Sequence, residues 1–128
     1  MSDDSRIRIV IADDQELVRA GFTMVINSQP DMQVVGQASN GDEAIRLAEQ
    51  LTPDIVLMDV RMPIMGGYEA TRAIRETDRP DHDLPIIAMT ADAFAEDVKR
   101  ALDAGMNAHV AKPIDVGEVM RLLEKFIK

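Results

Sequence analysis

Five short runs of apolar, mostly β-branched residues recur at fairly even intervals along the chain: Ile7 to Ala12, Val34 to Ala38, Ile55 to Met58, Ile86 to Met89 and Ala108 to Ala111. Each has the length of a strand, and the stretches between them carry the period of a helix. Strictly alternating strands and helices fold as an α/β domain with a parallel sheet and right-handed crossovers. The first helix is expected from Gln15 to Ser28, burying Leu17, Val18, Phe22, Val25 and Ile26, and Gln29-Pro30-Asp31 ends it. Asn40-Gly41-Asp42 opens a second helix to Leu51, and Thr52-Pro53-Asp54 turns the chain into the third strand. A third helix starts near Gly66-Gly67. Residues 77 to 84 have no apolar period and read as a solvated loop. A fourth helix spans about Ala93 to Ala104 and stops at Gly105. The last runs from Val116 to Ile127 with Asp115 as N-cap and Val119, Leu122, Leu123 and Phe126 on one stripe. The pattern is a doubly wound (βα)5 sheet without repeats or linkers: one domain over residues 6 to 128, preceded by a short disordered segment, residues 1 to 5.

Composition narrows what such a domain does. The chain has 128 residues, enough for one core and too few for a second catalytic module. No cysteine is present, which excludes thiol nucleophiles, disulfides and Cys-ligated metals. Its 23 acidic and 14 basic residues leave a net charge of −9, which repels nucleic-acid phosphates and anionic lipid. Only Phe22, Tyr68, Phe94 and Phe126 are aromatic, so base-stacking platforms are lacking. No apolar run is long enough for a membrane span, and the N-terminal residues are polar and acidic instead of basic and then apolar. The expectation is a cytoplasmic domain without direct nucleic-acid or membrane contact.

In doubly wound folds ligands bind beyond the carboxyl ends of the strands. There the first strand runs into Asp13 and Asp14, the third into Asp59, the fourth into Thr90, and the fifth into Lys112 and Pro113. Three carboxylates at one crevice either hold protons or are neutralised by a hard cation. Oxygen donors suit Mg²⁺, which keeps several waters and uses few protein carboxylates, so Asp59 has room to act as a nucleophile toward phosphorus. The Lys112 ammonium, the Thr90 hydroxyl and backbone N–H groups are suited to stabilise the charge on a transferring phosphoryl group.

These residues resemble the receiver domain of two-component response regulators over essentially residues 6 to 127. The matching pieces are Ile11-Ala12-Asp13-Asp14, the run from Asp54 to Gly67 with Asp59, Pro63 and the Gly66-Gly67 pair, Thr90-Ala91, and Lys112-Pro113. The resemblance implies a flavodoxin-like strand order 2-1-3-4-5, Asp59 as phosphoacceptor, and Mg²⁺ held by Asp13, Asp14, Asp59 and the Arg61 backbone carbonyl. It implies that Lys112 and Thr90 contact the phosphoryl group, that Ala91 leaves access to it, and that the Lys112-Pro113 peptide is cis. The implied partners are a histidine kinase or histidine phosphotransfer protein as donor, and a second receiver docked through the fourth helix, fifth strand and fifth helix. The domain is then no enzyme in the ordinary sense, but a phosphoacceptor that assists its own phosphorylation and dephosphorylation.

Three positions depart from the usual pattern. His109 stands where the family usually has Tyr or Phe as switch residue; a ring that takes a charge near neutral pH there makes output coupling pH-dependent. In the family the side chains at the positions of Arg61 and Asp92 border the path of attacking water, and the resemblance implies that opposite charges pairing there across the mouth of the site slow loss of the phosphoryl group. The first half, with the run from Asp14 to Gly21, is similar to receivers of helix-turn-helix DNA-binding regulators. The second, with the runs Ile87 to Phe94 and Gly105 to Pro113, is similar to receivers of hybrid histidine kinases, a mixture that a chimera also produces. The competing readings are a receiver-like interaction module that takes no phosphate, an engineered or chimeric scaffold without cognate signalling, a nucleotide-binding enzyme and a haloacid dehalogenase-like phosphatase. The nucleotide enzyme lacks a glycine-rich phosphate turn, and the phosphatase needs a second carboxylate where Arg61 stands.

Overall fold

The computed structural model describes residues 6–76, 84–90, 95–111 and 116–126. Strands and helices alternate as β1 (Ile7–Ala12), α1 (Glu16–Asn27), β2 (Met32–Ala38), α2 (Gly41–Leu51), β3 (Ile55–Asp59), α3 (Gly67–Arg75), β4 (Ile86–Thr90), α4 (Ala95–Ala104), β5 (Ala108–Ala111) and α5 (Val116–Phe126). All four strand pairings are parallel and the sheet order is β2-β1-β3-β4-β5, the order of the flavodoxin-like fold. The chain reverses its direction of travel across the sheet between β1 and β3, so a crevice opens above their carboxyl ends.

The central strands are apolar except at Arg8, Asp59 and Thr90, because helices cover both faces. Val10, Ala12, Val56, Met58, Ile86 and Ala88 point to one face, where they meet Ala44 and Ala48 of α2, Ala70 and Ile74 of α3, and Ala101 of α4. Ile9, Ile11, Ile55, Leu57, Ile87 and Met89 point to the other, against Phe22 and Ile26 of α1 and Val119 and Leu122 of α5. The small alanines of α2 and α3 bring those helices close to the sheet.

Three details differ from the expectation. β2 begins at Met32, two residues before its apolar run, because β1 supplies the partner: Ile7 donates to the Asp31 carbonyl at 2.8 Å and stands opposite Met32. β3 and β4 each extend one residue further, so Asp59 and Thr90 close their strands instead of following them. Asp59 is in register with Met89 and Thr90 with Ala111, so the ladder outlasts the hydrophobic pattern. On α1 the inward stripe is Val18 and Phe22, half-buried, and Ile26, buried, spaced by four; Leu17 and Val25 lie off it and are 87% and 40% exposed. Residues 77–83 and the Asp115 cap lie outside the described residues, as do the side chains of Leu123 and Phe126.

Gly67 and Gly105 are among the glycines that have steric reasons to be glycine. Gly105, after α4, has φ +107°, and Gly67 lies so close to β3 that an added Cβ would stand 2.3 Å from the Asp59 carbonyl oxygen. Among the described residues no helix is long and apolar enough to cross a membrane.

Candidate metal and phosphoryl site

Parallel pairing of β1 with β3 sets Ala12 opposite Met58 and thereby places the next residues, Asp13 and Asp59, side by side at the carboxyl edge. Asp13 is fully buried and Asp59 nearly so, whereas Asp14 is exposed. One carboxylate oxygen from each of the three lies within 4.8 Å of the other two. Three carboxylate oxygens so close, from two segments of the chain, form a donor set suited to a small hard dication that also keeps water ligands. The mixture of burial matters: two carboxylates are sheltered by protein, while the third faces the solvent from which an ion arrives.

Local hydrogen bonds hold the acids in place. Asp13 donates its N–H to the Ala38 carbonyl at 2.9 Å and accepts the Gln15 N–H on Oδ1 at 2.9 Å, so its side chain caps the turn into α1. The Arg61 N–H donates to Asp59 Oδ1 at 3.3 Å, while the Arg61 side chain is exposed. Beyond it, Ile64 has φ 68° and Met65 donates to the Pro63 carbonyl at 2.6 Å, a γ-turn that bends the segment back toward α3. This strained β-branched residue carries no mark in the sequence pattern. Gly67 then returns to the strand end, donating its N–H to the Val60 carbonyl at 3.1 Å.

Thr90 is buried at the end of β4, and its hydroxyl donates to the Val110 carbonyl of β5 at 3.5 Å, the long limit of a hydrogen bond. His109 is half-buried on β5 in register with Ala88. The structure thus brings Asp13, Asp14 and Asp59 together, with Arg61 bonded to the last, and sets Thr90 at the end of the neighbouring strand. Ala91, Asp92, Lys112 and Pro113 lie outside the described residues. Beside the acids, one feature absent from the sequence expectation is Arg19 of α1, whose guanidinium donates to the Asp13 carbonyl at 2.6 Å.

Comparison with known proteins accords with this geometry. The family model of the response regulator receiver domain matches residues 9–124. The response regulator GacA of Pseudomonas viridiflava is 38% identical over 117 residues, covering 91% of this chain and 53% of that protein. The chain therefore spans about half the length of the curated relatives it matches. A LuxR-family two-component response regulator from Aurantimonas sp. SI85-9A1 superposes with a TM-score of 0.85 at 36% identity, covering 94% of this chain and 84% of that one. The receiver domain of the sensor histidine kinase PA1611 from Pseudomonas aeruginosa PAO1, solved with magnesium coordinated in its active-site cleft, superposes with a TM-score of 0.85 at 34% identity, covering 95% and 98%. Regulator and kinase receivers thus each match along nearly the whole chain, and with the fold and acidic crevice already described they have one meaning: this chain belongs to the response regulator receiver domain family of two-component signalling.

Proposed function

We propose that the domain accepts a phosphoryl group on Asp59, in the presence of Mg²⁺, from a phosphohistidine of a histidine kinase or histidine phosphotransfer protein. The observation that carries this reading is the meeting of three carboxylate oxygens within 4.8 Å of one another at the carboxyl edge of β1 and β3. Asp13, Asp14 and Asp59, together with the Arg61 backbone carbonyl, are the groups that would hold the ion. When bound, Mg²⁺ neutralises the acids and the oxygens of the incoming phosphoryl group.

The residues divide the work by position. An Asp59 oxygen attacks phosphorus, forming a P–O bond as the P–N bond to the donor imidazole breaks; the leaving imidazole takes up a proton. Asp59 sits at the end of a buried strand, which limits its freedom to turn away from the line of attack. Lys112 supplies a further positive charge to the phosphoryl oxygens, and Ala91 keeps the approach open. Thr90 exchanges its long hydrogen bond to β5 for one to the phosphoryl group, biasing the α4-β5-α5 face, on which His109 is the switch position, toward a partner or a second receiver. By the same resemblance Arg61 and Asp92 control the access of water, and with Lys112 they set how long the acyl phosphate lasts. The domain is thus both acceptor and assistant in its own phosphorylation and dephosphorylation.

The test is intact mass spectrometry after incubation with acetyl phosphate and Mg²⁺. Wild type is expected to gain about 80 Da, the mass of one phosphoryl group, and Asp59→Asn none. No gain by wild type in the presence of Mg²⁺ would leave a receiver-like interaction module as the reading.

A further inference from the structure

Asp13 is gripped from several directions. Its N–H donates to the Ala38 carbonyl at the end of β2, at 2.9 Å, and its Oδ1 accepts the Gln15 N–H at 2.9 Å. Its carbonyl oxygen accepts Nη1 of Arg19 at 2.6 Å, a short, charge-assisted bond. The same guanidinium donates through Nε to Oε1 of Gln37 on β2 at 3.2 Å. Arg19 is half-buried on α1, and the helix holds its backbone: its N–H donates to the Gln15 carbonyl at 2.9 Å and its carbonyl accepts the Thr23 hydroxyl at 2.8 Å. One rigid, planar fork therefore ties the β1–α1 turn to the first turns of α1 and to β2.

We propose that Arg19 is a positioning residue for the Mg²⁺ site, acting on the ion through the backbone of Asp13. The inference rests on the Mg²⁺ reading above. With the N–H of the Ala12–Asp13 peptide and the C=O of the Asp13–Asp14 peptide both fixed, the two planes that flank the Asp13 Cα have little freedom to rotate, and the buried carboxylate is held toward Asp14 and Asp59 before any ion arrives. Support of this kind from outside the coordination shell commonly changes metal affinity by about tenfold or more. Arg19 itself carries a positive charge, and charge alone acts in the opposite sense: removing a cation from the neighbourhood of a dication site tightens binding of the dication. The two roles therefore predict opposite signs for the same substitution.

The experiment is Mg²⁺ titration, followed by amide chemical shifts, of wild type, Arg19→Gln and Arg19→Lys, with the melting temperature of each metal-free protein measured alongside. Arg19→Gln is expected to raise the Mg²⁺ Kd about tenfold despite the loss of a repelling charge. Arg19→Lys keeps the charge but has no fork to span two acceptors, and it is expected to raise the Kd by about threefold, as an intermediate support; this variant decides the matter where Arg19→Gln does not fold. Unchanged or tighter Mg²⁺ binding in the folded variants overturns the proposal, including the case in which only the metal-free melting temperature falls. Failure of wild type itself to bind Mg²⁺ overturns the reading on which the proposal stands, and the proposal with it.

Discussion

Gly67 and Asp59 are separated by one van der Waals contact that leaves no room for a methyl group. An alanine at 67 would put its Cβ 2.3 Å from the Asp59 carbonyl oxygen and 3.0 Å from the Val60 Cα, both parts of the main chain with no flexible end to give way. Gly67→Ala is therefore expected to cost about 1–3 kcal/mol, as other overpacked sites do, and to displace the end of β3. Urea unfolding combined with acetyl phosphate labelling checks this, and wild-type stability with wild-type labelling would contradict it. The Gly66-Gly67 pair was visible in the sequence as a helix start; that the second glycine is demanded by the Asp59 carbonyl came only from packing. The same holds for Ile64, whose positive φ has no counterpart in the hydrophobic pattern.

The N-terminus of α2 illustrates the element scale, because its cap is written in adjacent residues. Asn40 Oδ1 accepts the Glu43 N–H at 2.9 Å, and Glu43 Oε1 returns to accept the N–H of Ser39 at 2.7 Å and its hydroxyl at 2.9 Å. The Ser39 N–H, followed by its hydroxyl, holds the Glu43 carboxyl below its ordinary value of 4.5. A depressed carboxyl stabilises the fold fully above that value and loses its contribution as pH falls through the lowered one. Asn40→Ala is expected to cost about 1 kcal/mol at neutral pH. The stability gap between wild type and Glu43→Gln is expected to be largest near neutrality and to shrink as pH drops below 4.5. Chemical denaturation across that range measures it, and a gap independent of pH would show that the carboxylate is not the stabilising form. This cap was legible in Asn40-Gly41-Asp42, since capping is local. The phase of α1 was not, since Leu17, Val18, Phe22, Val25 and Ile26 admit more than one apolar face.

At the scale of the whole molecule, stability rests on a sheet buried from both sides. Leu57 is fully buried in β3, whereas Leu17 is 87% exposed on α1. Leu57→Ala is expected to cost about 2–5 kcal/mol, through lost burial and the cavity left behind, and Leu17→Ala about 0.5 kcal/mol or less. Equal losses in urea unfolding would mean that α1 packs on the sheet with the phase first expected from sequence. The same sheet serves the site, because only a packed β1-β3 pair holds Asp13 beside Asp59.

The alternation of apolar runs with helical stretches determined the (βα)5 architecture, since the two periods cannot be exchanged without exposing the core, and it determined that Asp13, Asp14, Asp59 and Thr90 gather at strand ends. Tertiary structure alone decided the rest. Where β2 begins, how far β3 and β4 run, which side of α1 is wet, and that Arg19 reaches back to the Asp13 carbonyl all depend on partners distant in the chain. Local residue order encodes period and caps, but register, helix phase and the reach of a long side chain are fixed only once the elements compete for the same space.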